Sequence, residues 1–162
     1  MGLDMYLSAE KNLSAYSHRG LLDRERLESV LKTAGVSRSM LSKQSPFATL
    51  SVSVMYWRKA NAIHQWFVSN FANGVDECQE IGVPRDGLVA LRNLCDIILG
   101  ASEANRNAIA EEHLPPQSGF FFGSTEIDEW YWKDLEETRD SLKRILANKS
   151  LADCDFTYRA SW

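Results

Sequence analysis

Residues 50–71, Leu-Ser-Val-Ser-Val-Met-Tyr-Trp-Arg-Lys-Ala-Asn-Ala-Ile-His-Gln-Trp-Phe-Val-Ser-Asn-Phe, change their hydrophobic period from two to 3.6 within one run. Leu50, Val52 and Val54 alternate with Ser51 and Ser53, which predicts a strand with one apolar face. From Tyr56 onward, at about 100° per residue, Tyr56, Ala60, Ile63, Phe67 and Phe71 converge on one stripe. That spacing predicts an amphipathic helix, ended by the left-handed preference of Asn73 and Gly74.

Working outward, Leu3, Met5 and Leu7 alternate with Asp4, Tyr6 and Ser8 and predict a strand over 2–9. Asp23 is placed to cap a helix over 23–34 whose face holds Leu27, Val30, Leu31 and Ala34, with Gly35 as its stop. Residues 36–48 mix Ser, Lys and Pro without period and read as an exposed, mobile connection. A short strand is expected over 78–83. Pro84 then opens a helix bearing Leu88, Leu91, Cys95 and Ile98 on one face, with Gly100 at its end. Residues 102–112 are polar and weakly helical, and Pro115 and Pro116 interrupt what precedes them.

The run 117–124 places three consecutive Phe between glycines and predicts a buried strand or a ligand-facing loop. Thr125 with Asp128 three residues on is a capping-box variant. It opens a helix with the stripe Tyr131, Leu135, Thr138, Leu142 and Ile145, running to about 148. Phe156, Tyr158 and Ala160 alternate with polar residues as a last strand ending on Trp162. The expectation is one α+β domain over 1–162. A small sheet includes both chain termini and packs with three long helices and one or two short ones.

The net charge of −4 conceals an asymmetry: residues 1–60 carry +4 and residues 61–162 carry −8. This balance argues against duplex nucleic acid as the partner, because phosphate contacts call for a basic surface. Cys78, Cys95 and Cys154 are odd in number and scattered, which fits neither a disulfide framework nor a metal site and is the pattern of reduced thiols. No membrane span and no secretion signal are expected, so the chain is placed in the cytoplasm.

No phosphate-binding glycine loop, dinucleotide turn, zinc-protease helix or nucleophile elbow occurs in the sequence. His18, His64 and His113 lie in separate segments, and neither a metal set nor catalytic residues nor a cofactor can be assigned. Three local groupings carry binding chemistry instead. Trp57, Asn61 and His64 are spaced along one border of the helix predicted after residue 55, with Arg58 farther toward solvent; a ring, an imidazole, an amide and a guanidinium there suit a small polar ligand or an acidic partner surface. Gln117, Ser118 and Gly119 begin a glycine-bordered turn leading into a helix N-terminus, where backbone N–H groups can meet an anion. Trp130, Tyr131 and Trp132 cannot all face one core, so one indole must cover another face.

Met1-Gly2-Leu3-Asp4-Met5-Tyr6-Leu7, Tyr56-Trp57-Arg58-Lys59-Ala60-Asn61, Ile63-His64, Trp66-Phe67 and the run 117–125 resemble a family of small proteins encoded by bacteriophages and prophages. The resemblance implies a phage origin and a non-structural accessory role, and it carries over no catalytic residues. The leading expectation is thus a protein that binds in the host cytoplasm and occludes a host or anti-phage defence protein. The alternative is a protein that binds or sequesters a nucleotide-like small molecule through Trp57, Arg58, Asn61 and His64. An enzyme with a dispersed active site is the third reading.

Overall fold

The computed structural model describes residues 2–14, 21–41 and 47–162. In chain order its elements are β1 (Asp4–Ser14), α1 (Leu21–Ala34), a single 3-10 turn (Arg38–Met40), β2 (Phe47–Arg58), α2 (Asn61–Phe71) and β3 (Ile81–Val83). Then follow α3 (Arg85–Gly100), α4 (Arg106–His113), α5 (Glu129–Ala147), a second 3-10 turn (Lys149–Leu151) and β4 (Asp155–Ser161). The fold is α+β, with an antiparallel sheet in the order β2-β1-β4-β3 that contains the strands of both termini. No helix among the described residues is long and apolar enough to cross a membrane.

The chain forms two compact units, Met1–Ala9 with Ser53–Trp162, and Glu10–Val52, and the strands β1 and β2 contribute residues to both. In the smaller unit Leu27 and Leu31 of α1 bury against Leu13 of β1, with Val30, Val36 and Ala48 at the margin. Each buried leucine contributes roughly 2 kcal/mol. α1 ends as its sequence predicts. Gly35 has φ of +68°, its N–H donates to the Lys32 carbonyl, and the Val36 N–H donates to the Leu31 carbonyl. The expected connection at 36–48 holds the first 3-10 turn and the start of β2; residues 42–46 lie outside the described residues.

In the larger unit the inward residues of the sheet, among them Leu3, Met5, Leu7, Phe156 and Tyr158, meet the stripes of α2, α3 and α5. The stripe read for α5, Tyr131, Leu135, Thr138, Leu142 and Ile145, is buried throughout, as is Leu88, Leu91, Cys95 and Ile98 on α3. Burial pushes the Cys95 thiol up to about 12, so it serves as a small apolar side chain. Gly87 is required where α3 begins, because a Cβ there would stand 2.5 Å from the Phe71 ring. Arg85 donates to the Leu146 and Leu151 carbonyls at 2.6 and 3.2 Å and so satisfies one acceptor in the last turn of α5 and one at the end of the 3-10 turn after it. β3 pairs with β4 in the register Ile81↔Tyr158 and Val83↔Phe156, which sets four apolar side chains on the buried face.

The strand-to-helix switch comes later than the sequence predicts. Tyr56, Trp57 and Arg58 belong to β2, and α2 begins only at Asn61. Tyr56 is therefore not part of the helical stripe; it is 51% exposed and donates its hydroxyl proton to Asp4 across the sheet. Trp57 is not on a helix border either: it is a strand residue, 4% exposed, packed on Phe67 and donating its indole N–H to Thr138. The cause is visible in the cross-strand bonds. Thr49 and Ser51 bond to Asn12 and Glu10, whereas Tyr56 bonds to Asp4. Residues opposite each other in an antiparallel pair share a face, so the change from odd to even numbers in β2, against even numbers throughout β1, marks a shift of register. With the Lys59 N–H on the Leu3 carbonyl, the chain after Ser51 runs one residue longer than β1 does from Glu10, a bulge. It turns Met55 and Trp57 inward and leaves Leu50 and Val52 exposed.

Candidate functional site

At the junction of β2 and α2 the chain takes a strained path. Lys59 adopts φ of +60°, a conformation that few residues other than glycine occupy. It is held there from both sides: its N–H donates to the Leu3 carbonyl and its carbonyl accepts from the Asn61 N–H, both at 2.8 Å. Its aliphatic stem runs past Gly2 and Gly123. A Cβ at Gly123, itself at φ of +89°, would lie 3.2 Å from the Lys59 Cβ. The ammonium is thus carried on a stem held between two glycines.

Beside this bend lies a cleft of about 290 Å³, bounded by the first turn of α2, by Pro116, Gly123 and Ser124 of the connecting loop, and by the first turns of α5. Most of the polar groups around it are already paired. Asn61 donates to the carbonyls of Phe122 and Ser124 at 3.0 and 2.7 Å and accepts from the Gln117 N–H at 3.0 Å, so it ties the loop to α2. Asp128 accepts from the N–H groups of Trp130 and Tyr131. Asp128, not the Thr125 of the predicted capping box, is therefore the N-cap of α5. The Tyr131 hydroxyl donates to the Leu114 carbonyl at 2.9 Å, and burial raises its pKa.

What is left unpaired faces the cleft. Arg58, Lys59, Glu126 and Asp134 line it, and none of these four side chains makes a hydrogen bond or ion pair with the described residues. Ala60, the N-cap of α2, offers no side-chain oxygen, and the N–H groups of Ala62 and Ile63 find no acceptor among the described residues. The carboxyl of Asp134 is pushed up to about 7, first by burial, then by the nearby charges of Glu137 and Asp128, with Lys133 acting weakly the other way. Trp130 stands at the same cleft 62% exposed.

The residues singled out from sequence divide accordingly. Arg58 and Asn61 line the cleft, and only Arg58 has its side chain unpaired. Trp57 is in the core. His64 is buried one turn below, with Nε2 2.9 Å from Asp76 and Nδ1 2.7 Å from the Tyr158 hydroxyl. A carboxylate only accepts, so in the neutral ring Nε2 donates to Asp76 and Nδ1 accepts from Tyr158. This chain resembles a proton relay, but Tyr158 is fully buried and the Phe122 ring lies edge-on to His64, closing the imidazole off from solvent. Gln117, Ser118 and Gly119 do not line the cleft; Gln117 binds Asn61, and Gly119 makes room for the Phe122 ring, 2.5 Å from where a Cβ would stand. The run 117–124 forms no strand but a loop tied to α2 through Asn61, and its Gly123 and Ser124 reach the cleft.

Lys59, Glu126 and Asp134 were not singled out. Two signals bear on them in retrospect: a helix opening at Ala60 and Asn61 with no capping side chain before it, and an acid one turn beyond Trp130, between the buried stripe positions Tyr131, Leu135 and Thr138. Among the described residues no group of three or more His, Cys, Asp or Glu could hold a metal ion. No family model matches the chain, and neither a curated protein nor a solved structure matches it.

Proposed function

We propose that the protein acts by binding a small polar molecule in the cleft at the N-terminus of α2. One observation carries this reading: Arg58, Lys59, Glu126 and Asp134 converge on a cleft of about 290 Å³ without pairing with one another or with other described residues. In a fold whose other polar groups around the cleft are bonded, unpaired charges and a strained lysine are the marks of a recognition site. Thermal-shift screening of small anions, amines and zwitterions tests it. A true ligand at a hundred times its Kd stabilises by about 2.7 kcal/mol, a rise of roughly 8 °C for a chain of this size. The rise should vanish in Lys59→Met, which keeps the stem and removes the charge. If no compound raises the melting temperature, the reading fails.

A second reading, occlusion of a host or defence protein by a phage accessory protein, draws support from one surface feature. Phe120 is 95% exposed and rests on Phe121 at 4.7 Å between ring centroids, so a large apolar ring is presented rather than buried. Recovery of the same host protein by the wild type and not by Phe120→Ala would support it, and equal recovery by both would refute it.

A further inference from the structure

We propose that the cleft takes a guanine nucleoside monophosphate, with its phosphate at Arg58 and Lys59, its base edge on Asp134 and its ring beside Trp130. The proposal rests on the cleft reading above and adds the chemical class of the ligand. It follows by subtraction. Once Asn61, Asp128 and Tyr131 are set aside as internally bonded, the cleft offers a donor-rich end and two unpaired carboxylates, Glu126 before α5 and Asp134 on α5, of which Asp134 shares its helix with Trp130.

The donor-rich end is formed by Arg58 and Lys59 where β2 meets α2, with the unpaired N–H groups of Ala62 and Ile63 beneath them. A phosphate monoester, with up to two negative charges and several acceptor oxygens, fits that combination better than a carboxylate does. On the α5 side Asp134 presents a carboxylate with no partner. Two carboxylate oxygens only accept, so they match a ligand edge with two adjacent N–H donors. Among the common bases guanine has such an edge, from its ring N–H and exocyclic amine. Adenine and cytosine place an acceptor beside their amine, which would face a carboxylate oxygen. Trp130, one helical turn before Asp134, supplies a ring for the base. Ligand pockets span roughly 300 to 1,000 Å³, so about 290 Å³ stands at the small end, where a single nucleotide fits.

Calorimetric titration at pH 8 with GMP, AMP, guanosine and inorganic phosphate tests the assignment. Alkaline pH keeps Asp134 ionised against burial and then Glu137 and Asp128, which disfavour its charge, while Lys133 favours it; Glu126, Arg58 and Lys59 are the other charged groups lining the cleft. GMP should bind at least about tenfold more tightly than each of the other three. Asp134→Asn should abolish the preference for GMP over AMP, and Lys59→Met the preference for GMP over guanosine. Should Lys59→Met fail to fold, Arg58→Gln, on an exposed side chain, replaces it with the same expected loss. Equal affinity for GMP and AMP, or a preference that survives Asp134→Asn, overturns the proposal. If GMP does not bind while another compound stabilises the wild type and not Lys59→Met, the nucleotide assignment fails and the cleft reading stands; if nothing binds, both fail.

Discussion

Asn61 and His64, on the first turns of α2, have a partner for each polar side-chain atom, whereas Arg58, Lys59 and Asp134 around the same helix end have none among the described residues. The two regions use equally polar residues for opposite purposes. Around His64 the groups close on one another: Asp76 accepts from the imidazole, Tyr158 donates to it, and the Trp162 indole reaches Asp76 at 3.3 Å. Such a network fixes α2 on β4 and leaves nothing for a ligand. At the bend the chain holds its charges apart instead. Substitutions should therefore separate the two regions, with stability lost in the first and recognition in the second.

The largest loss is expected at Trp57, which the sequence placed on an open helix edge. Trp57→Ala removes a ring packed on Phe67 and Tyr158 and leaves the buried Thr138 hydroxyl without its donor. It should cost about 3 to 5 kcal/mol in denaturant unfolding, as much as Tyr131→Ala within about 1 kcal/mol. A clearly milder Trp57→Ala would return Trp57 to the edge. Asn61→Ala comes next, at about 2 to 4 kcal/mol, because it orphans the buried or half-buried backbone groups of Gln117, Phe122 and Ser124 together. Increased hydrogen exchange over 117–124 would mark the released loop.

Tyr158→Phe is expected to be smaller, about 1 to 3 kcal/mol, since it keeps the ring stacked on Phe67 and removes only the hydroxyl that serves His64. No loss of ligand binding should accompany it. If the variant kept its stability but lost binding, the His64 network would belong to the site and the contrast between the regions would collapse.

The same contrast explains what could be read from the sequence. Periodicity reports which side of an element is apolar, so the stripes of α3 and α5 and the terminal strands were legible. It carries no information on a single inserted residue, and the bulge after Ser51 moved Tyr56 and Trp57 from the expected helix into β2 with their faces exchanged. The likeness of Trp57, Asn61 and His64 to a binding edge assumed a helix that had not yet begun. Asp134 was hidden for another reason: the sequence shows its place beside a buried stripe but not that Lys59, far away along the chain, turns left-handed to stand at the same cleft.

The smallest expected effect has the opposite sign and bears directly on that carboxyl. Asp134 titrates near 7 in the folded protein against 3.8 for the ordinary side chain, mainly because burial disfavours its charge. The folded state therefore holds more protons than the unfolded state between these values. The contribution of Asp134 to stability is fully present below about pH 4 and is lost as pH rises through 7. Asn cannot ionise and escapes that loss, so Asp134→Asn should be more stable than the wild type at pH 8. The gain should be about 1 to 2 kcal/mol, allowing for solvent screening at a half-buried group, and should shrink toward zero near pH 4. Urea unfolding of both proteins at the two pH values measures it. A group kept only for the fold would not cost stability at neutral pH, so a gain in stability together with a loss of ligand discrimination identifies Asp134 as a site residue. If Asp134→Asn is destabilised at pH 8, the carboxylate has a partner in the fold and the cleft loses its acceptor.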